Sequence, residues 1–358
     1  MTDKKQKILI VDDTPENIEL LRQLLKQDYT VIAAINGEKA LKLAHGSSKP
    51  DMILLDIMMP GMDGYEVCTR LKEDPDTCEI PVIFITALTQ TGHEAKGLEL
   101  GAVDYITKPF EPLLVKSRIH NQLELKRHQD NLEQLVKERT RELAITQQVT
   151  IEAMGTLAEY RDPETGGHIK RTQSYIRAVA RYLSQHNEKY QQLLSDDIIE
   201  KLYNVAPLHD IGKVSVRDDI LLKPGKLTKD EFELMKKHVE YGSQAIMSAE
   251  KRLGSSSYFA LAREIIENHH EKWDGSGYPN QKQGEQIPLS GRLMAIADVY
   301  DALISVRVYK QAMSHEQALD IIKEGRDTHF APDIVDAFMA IEQEVHEIAL
   351  TYADQILK

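Results

Sequence analysis

Short apolar runs alternate with amphipathic segments through the first third of the chain. Between the apolar runs, residues such as Ile18, Leu21 and Leu25 recur at the spacing of an amphipathic helix. Strand alternating with helix is typical of a parallel sheet with helices packed on both faces. The pattern therefore predicts a doubly wound α/β domain in residues 1–122. Its predicted strands are residues 8–11, 31–34, 52–55, 82–85 and 105–106.

The next segment is rich in strong helix formers. Between Pro112 and Gly155 the chain contains neither proline nor glycine. Leu125 and Leu132 are seven residues apart, and a second apolar pair repeats that spacing further on. We expect a long helix whose residues 123–150 form a coiled-coil linker, and a parallel homodimer is the favoured interpretation. The alternative is a single solvated helix that spaces two domains.

Helical periodicity dominates residues 151–358. Tyr175, Ile176 and Val179 lie on one face of one predicted helix, and other apolar residues repeat this spacing further on. Segments rich in glycine or proline interrupt the helical pattern at residues 223–225, 254–255 and 275–288. This half of the chain is therefore predicted to be an all-α domain with functional loops.

Length and composition narrow the class of protein. A chain of 358 residues suits about two domains. The net charge of −13 argues against a nucleic-acid partner, which needs a basic face. No apolar stretch approaches the roughly 20 residues that span a bilayer, and no leader is recognised before the first strand. Cys68 and Cys78 lack a CxxC spacing and are expected to be reduced thiols. We expect a soluble, cytoplasmic protein without a membrane partner.

Polar residues stand where the predicted strands of the first domain end. Asp12 and Asp13 follow the first strand, and Asp56 follows the third. Functional residues of a parallel sheet lie beyond the carboxyl ends of its strands. Three carboxylates at one edge repel each other unless a cation lies among them, and hard oxygen ligands select Mg²⁺. An aspartate in such a place can also accept a phosphoryl group, and Lys108, after the last strand, can hold a phosphoryl oxygen.

These residues, with the sequence LLDIMMPGMDG at positions 54–64, resemble the receiver domain of two-component response regulators. The resemblance covers residues 1–122 and implies a flavodoxin-like fold with a five-stranded parallel sheet. It also implies a cognate sensor histidine kinase as partner and a cis peptide bond between Lys108 and Pro109. The implied roles are phosphoacceptor for Asp56, Mg²⁺ ligand for Asp12, Asp13 and Asp56, and switch residue for Thr86, Tyr105 and Lys108.

Potential metal ligands are spread over the second half of the chain. All are carboxylates or imidazoles, which suit iron, manganese or zinc, and eight are too many for one closed ion site. Burying adjacent polar residues without partners would be costly, and a metal cluster gives them partners. Asp210 is the natural bridging carboxylate, and Lys213 is placed to contact a phosphate oxygen. The eight residues are Glu164, His168, His209, Asp210, His238, His269, His270 and Asp298.

The loop HHEKWDGSGYP at residues 269–279, with the upstream pair His209-Asp210, resembles the HD-GYP phosphodiesterases, which hydrolyse cyclic di-GMP. The resemblance implies an HD-type domain in residues 151–358 with two or three iron or manganese ions. Glu164 goes with the three-ion variety and would share a helical face with His168. The implied catalytic residues are His209, Asp210 and Lys213; the eight potential ligands hold metal; Lys213, Arg307, Lys310, Gly277 and Tyr278 contact substrate.

The function implied is that of a response regulator whose output domain cuts cyclic di-GMP to pGpG, and to GMP after a second cut, under the control of Asp56 phosphorylation. Three alternatives stay open. One is a phosphodiesterase for cyclic GMP-AMP, because nothing in the sequence identifies the contacts to the bases. The second is a weakly catalytic sensor that acts through protein contact, with diguanylate cyclases among its partners. The third, an adaptor that only receives phosphate, is disfavoured by the intact ligand set.

Overall fold

The computed structural model describes residues 5–46, 48–87, 97–159, 167–253, 257–305 and 312–353. The chain divides into two compact units, Met1–Thr140 and Arg141–Lys358. This division falls inside residues 123–150, the segment expected to join two domains. In the described part of the chain, no helix is both long and apolar enough to cross a membrane.

The N-terminal unit is built on a five-stranded parallel sheet, as predicted. The order of the strands is β2-β1-β3-β4-β5, so the chain first adds a strand on one side of β1 and then continues on the other. Every residue of β3 is buried, which fits its uninterrupted apolar run. The strands are β1 Lys7–Val11, β2 Thr30–Ala34, β3 Met52–Asp56, β4 Val82–Ala87 and β5 Asp104–Lys108.

Helices cover both faces of this sheet. Alternate residues of a strand point to opposite faces, so Leu9 and Val11 pack into one core while Ile8 and Ile10 pack into the other. Side-chain caps begin two of the helices: Asn36 accepts from the backbone N–H of Lys39, and Asp63 from that of Glu66. The helices are α1 Pro15–Leu25, α2 Gly37–Ala44 and α3 Gly64–Glu73.

One continuous helix, α4, runs from Pro112 to Glu159. Its first turns bury Val115, Ile119 and Leu123 in one core of the N-terminal unit. Further along, apolar side chains are exposed, and Leu125 and Leu132 are each 62% exposed. The predicted long helix is thus confirmed, and it continues through residues 123–150 without a break. Its pairing with a second copy stays a prediction.

The described residues of the C-terminal unit form helices and no β-strand, which confirms the all-α prediction. The α-helices are α5 His168–His186, α6 Glu188–Gln191, α7 Asp196–Val205, α8 Asp218–Leu221, α9 Lys229–Met235, α10 His238–Leu253, α11 Ser257–Asn268, α12 Leu289–Ile304, α13 His315–Glu324, α14 Pro332–Ala340 and α15 Glu342–Thr351. Short 3₁₀ turns occupy Ala206–Leu208, Ile211–Ser215 and Gly284–Gln286.

Aromatic side chains join three helices at the centre of this unit. The ring of Tyr300 on α12 meets that of Tyr175 on α5 edge to face, with centroids 5.2 Å apart. It also meets Phe338 on α14, at 5.1 Å. Edge-to-face contacts between fully buried rings fix the positions of the helices that carry them. The core therefore holds the start of α5 and the middle of α12 in place, where two of the predicted metal ligands lie.

Candidate metal centre

The carboxyl edge of the N-terminal sheet gathers the predicted polar residues. Asp12 and Asp56 are buried, and the ammonium group of Lys108 lies 2.9 Å from Asp12 Oδ2 and 3.1 Å from Asp56 Oδ1. Burial and the neighbouring Asp12 raise the pKa of Asp56, while Lys108 opposes that change. Asp12, Asp13 and Asp56 bring their oxygens within 4.8 Å of one another, as Mg²⁺ ligands require. The peptide bond between Lys108 and Pro109 is cis, as predicted.

The two other predicted switch residues lie beside this edge. Thr86 and Tyr105 are half-buried and line the same small cavity, together with Phe84. The guanidinium group of Arg118 lies over the ring of Tyr105, 5.0 Å from its centroid. The side chains are thus adjacent, and their role as a switch pair stays a prediction.

Seven of the eight predicted metal ligands of the C-terminal unit fall into two groups. Asp210, His238, His269 and His270 form one group, and the ligand atoms within it lie within 4.8 Å of one another. His168, His209 and Asp298 form the other group, and their ligand atoms also lie within 4.8 Å of one another. The chain neighbours His209 and Asp210 stand one in each group. Glu164, Arg307 and Lys310 lie outside the described residues.

Six of these seven ligands lie at the end of a helix or just beyond one, and Asp298 lies in the middle of α12. His209 and Asp210 follow the apolar helix α7 and a 3₁₀ turn, and the turn Ile211–Ser215 then packs against the start of α10. Gly212 allows this approach, because a Cβ atom there would lie 1.8 Å from the carbonyl oxygen of His238. Close backbone packing therefore assembles the first group. Gly212 was the sign of this packing in the sequence, and it was not recognised there.

Three imidazole rings have the same orientation, each with its Nε2 atom towards Asp210. Nδ1 of His209, His238 and His269 lies 3.0, 2.8 and 3.0 Å from the carbonyl oxygens of Ala206, Met235 and Ile266. Because a carbonyl can only accept, Nδ1 carries the proton and Nε2 of the neutral ring offers a lone pair. The three Nε2 atoms lie 3.3, 3.2 and 3.6 Å from carboxylate oxygens of Asp210.

These buried lone pairs test whether the site suits a metal. None of the three Nε2 atoms has a hydrogen-bond partner among the described residues. Lone pairs of imidazole and carboxylate that face each other at this distance repel unless a cation lies between them. The second carboxylate, Asp298, has Oδ1 at 3.7 Å from Nε2 of His168 in the other group. The donor set therefore fits a centre of divalent metal ions.

Burial and neighbouring charges shift the pKa values of several ligands. Burial lowers the pKa of His269, and burial together with the adjacent imidazoles holds the pKa of His270 well below its usual range. Burial alone would raise the pKa of Asp210, but the ammonium group of Lys213 and the ring of His209 hold it well below its usual range. An ionised carboxylate thus faces two imidazoles whose neutral form is favoured, whereas Asp210 outweighs burial and raises the pKa of His209, so that metal binding at His209 competes with a proton.

The loop after His270 closes one side of the site. The ring of Tyr278 stacks on that of His270, with centroids 4.6 Å apart. A Cβ atom on Gly277 would lie 2.3 Å from the backbone nitrogen of Lys272, so close backbone approach requires glycine there. The left-handed conformation in this loop, with φ of 82°, belongs to Gly275. The bond between Tyr278 and Pro279 is cis.

Three buried charged residues next to the ligands were not predicted from the sequence. The carboxylate of Glu271 accepts from the backbone N–H of Asn280 at 2.7 Å and so holds the loop. Asp301 accepts from Nδ1 of His168 at 2.8 Å, and Arg171 donates to Asp301. The signal was helical spacing: Arg171 and Asp301 stand three residues beyond His168 and Asp298.

Comparisons with known proteins agree with this two-part organisation. Residues 8–120 match the family model of the response regulator receiver domain, and residues 156–334 match that of the HD domain. A probable cyclic di-GMP phosphodiesterase of Vibrio cholerae serotype O1 is 49% identical over 356 residues, which cover 97% of this chain and 80% of that protein. The similarity thus runs through both units.

Two further relatives match over nearly the whole chain. A cyclic di-GMP phosphodiesterase of Thermotoga maritima is 35% identical over 356 residues, covering 95% of this chain and 92% of that protein. The cyclic di-GMP phosphodiesterase response regulator RpfG of Xanthomonas campestris pv. campestris is 33% identical over 350 residues, covering 95% of this chain and 89% of that protein.

Proposed function

The chain belongs to the family of response regulators that combine a receiver domain with an HD-type cyclic di-GMP phosphodiesterase domain, and we propose that it hydrolyses cyclic di-GMP to pGpG, and further to GMP, under the control of Asp56 phosphorylation. The observation that carries the proposal is the pair of adjacent ligand groups that contain His209 and Asp210. A phosphodiester needs its charge neutralised where it is cut, and these two groups bring buried metal ligands together within the described part of the C-terminal unit.

We propose two or three iron or manganese ions for this centre and Mg²⁺ for the carboxylates around Asp56. Oxygen and imidazole donors without thiolate suit these metals. Bound ions would lower the pKa of water and neutralise charge on the phosphoryl group. Glu164 would add a ligand for a third ion beside His168. The residues that would hold the ions are Glu164, His168, His209, Asp210, His238, His269, His270 and Asp298.

Side chains around the centre would bind and orient the substrate. The ammonium group of Lys213, 2.7 Å from Asp210 Oδ2, can donate to a phosphoryl oxygen as its charge grows. Tyr278 lies beside His270 and would border the bound dinucleotide, with Gly277 shaping that border. Arg307 and Lys310 follow α12 directly in the sequence, and we propose that they bind the phosphate that is not cut.

We propose a sensor histidine kinase as the donor of the phosphoryl group to Asp56 and a second copy of the chain as partner for α4. Exposed apolar side chains on this helix, Leu125, Leu132, Val136 and Leu143 among them, support pairing, because water contact with such a row is unfavourable. Leu132→Glu should shift the protein from dimer to monomer in sedimentation, while Leu222→Glu, at an exposed position outside α4, should not. Equal sedimentation of Leu132→Glu and the unaltered protein would contradict pairing at this position.

Product analysis tests the substrate. Purified protein loaded with Mn²⁺ or Fe²⁺ is incubated with cyclic di-GMP or with cyclic GMP-AMP, and the products are separated by anion exchange. We expect pGpG to form faster than any product of cyclic GMP-AMP, and no product from Asp210→Ala. Preferential cleavage of cyclic GMP-AMP would favour the alternative substrate. Failure of metal-replete protein to cleave either would favour a sensor that engages partners such as diguanylate cyclases by contact.

A further inference from the structure

A buried ion pair stands directly behind one of the metal ligands. Asp301 and Arg171 are only 1% and 2% exposed, although both carry charge. Nε and Nη2 of Arg171 donate to Oδ1 and Oδ2 of Asp301 at 2.6 and 2.9 Å. Burying such a pair has a desolvation cost that hydrophobic residues of similar size would avoid. Stability of the fold therefore does not explain why two charged residues are buried here. Their contacts with a metal ligand give another explanation.

The carboxylate of Asp301 contacts a metal ligand. Nδ1 of His168 donates to Oδ2 of Asp301 at 2.8 Å, which directs Nε2 of the same ring towards Asp298 and the ion site. His209, His238 and His269 instead donate to backbone carbonyls. A carboxylate partner fixes the tautomer and the orientation of a ligating imidazole and also makes it a stronger donor. His168 is thus set apart by a charged partner.

Arg171 binds both carboxylate oxygens of Asp301, one of which also accepts from His168. Its Nη2 also donates to the hydroxyl of Ser305 at 2.9 Å, and its Nη1 donates to the carbonyl of Tyr352 at 2.9 Å. Ser305 follows the last residue of α12, and Tyr352 follows the last residue of α15. One guanidinium group therefore joins the start of α5, where His168 lies, to the ends of two other helices.

We propose that Asp301 is a positioning residue for His168, and that Arg171 keeps its carboxylate in place. The affinity of the ion site formed by His168, His209 and Asp298 then depends on a pair that touches neither ion nor substrate. This inference rests on the metal centre of the proposed function. It predicts a selective effect: the ion held through His168 is weakened, while the ion held by His238, His269 and His270 stays bound.

Manganese binding to the full-length Asp301→Asn protein tests the proposal. We expect one Mn²⁺ site to bind about 10- to 100-fold more weakly than in the unaltered protein, the range for loss of such a partner. His168→Ala should remove the same site altogether. The matched control is Asp333→Asn, which makes the same change in a carboxylate that accepts from the hydroxyl of Tyr190. The control should bind Mn²⁺ like the unaltered protein.

Arg171→Lys provides a second variant in case Asp301→Asn folds poorly. Lysine keeps the charge but cannot make the two parallel bonds to Asp301. We expect weaker Mn²⁺ binding at the same site and a smaller Mn²⁺-induced rise in Tm. Unchanged Mn²⁺ affinity in both variants, or in whichever one folds, would overturn the proposal. Because binding is measured without substrate, this outcome is distinct from a failure of the unaltered protein to cleave cyclic di-GMP.

Discussion

The Nζ atom of Lys213 lies 2.7 Å from Oδ2 of Asp210, three residues earlier in the chain. The two side chains are nearly buried, and Lys213 lies in the turn Ile211–Ser215, which begins directly after Asp210. The ammonium group helps to hold the pKa of Asp210 well below its usual range, although burial acts in the opposite direction. The contact therefore keeps the central carboxylate ionised and places a positive charge at the edge of the metal centre.

Lys213→Met should lower kcat for cyclic di-GMP by about 10²- to 10³-fold, the usual loss when one donor to a developing charge is removed. Metal content should change much less, because Lys213 is not a ligand. Product formation and elemental analysis of the same preparation give both quantities. Lys223→Met removes a lysine that pairs with Glu231 and serves as control. Equal kcat in Lys213→Met and the control would exclude a role in catalysis.

Asp210→Ala should abolish hydrolysis and reduce metal content, because its carboxylate lies among three imidazoles of the centre. His209→Ala should have the same effect. Phosphorylation of Asp56 by acetyl phosphate should be retained in both variants, since it depends on the N-terminal unit. Turnover at the unaltered rate by metal-replete Asp210→Ala protein would be incompatible with the assigned role.

Asp56→Asn should prevent labelling by acetyl phosphate, because an amide is a poor nucleophile and supplies one charge fewer to Mg²⁺. Intact-protein mass spectrometry after brief exposure to acetyl phosphate and Mg²⁺ measures the added phosphoryl group. Asp63→Asn makes the same change seven residues later, at a helix cap that asparagine can also provide, and should be labelled normally. Normal labelling of Asp56→Asn would mean that another residue is the acceptor.

Glu164→Ala should lower metal content by about one ion per chain, with a smaller loss of activity than Asp210→Ala, because activation of water needs only two ions. Elemental analysis of the purified proteins measures the ratio of metal to chain. Glu152→Ala removes a glutamate that pairs with Lys170 and should keep every ion. An unchanged ratio in Glu164→Ala would indicate a binuclear centre without this ligand.

Gly277→Ala should reduce both stability and activity, because a Cβ atom there would lie 2.6 Å from Cα of Glu271 and would push the loop off His270. Overpacking of this kind costs about 1–3 kcal/mol. Gly275→Ala in the same loop meets only ordinary contacts and adds the strain of its left-handed conformation, about 1–2 kcal/mol. Thermal unfolding measures the loss of stability in both variants, and kcat distinguishes them, because kcat should fall more in Gly277→Ala than in Gly275→Ala. A larger fall in Gly275→Ala would contradict the close-approach argument.

Local pattern was sufficient to predict the sheet, the long helix and most ligands. Apolar runs give the strands, because β3 is buried along its whole length and its neighbours β1 and β4 along most of theirs. The absence of proline and glycine between Pro112 and Gly155 gives α4. Chemical type identifies the ligands, since adjacent polar pairs such as His269-His270 are costly to bury without a metal. The same reasoning could not reveal Glu271, whose carboxylate binds backbone N–H groups nine and eleven residues later.

By itself, the sequence determined the two kinds of domain, the family resemblance and the residue types of the metal site, because these follow from periodicity and side-chain chemistry. Tertiary structure alone decided which ligands share a group, why Gly277 must be glycine, and that Asp301 stands behind His168. Those relations join residues as many as 133 positions apart, as in the bond between His168 and Asp301. Helical spacing places Arg171 and Asp301 each beside a ligand of its own helix, but only the packing of α5 against α12 brings His168 and Asp301 together.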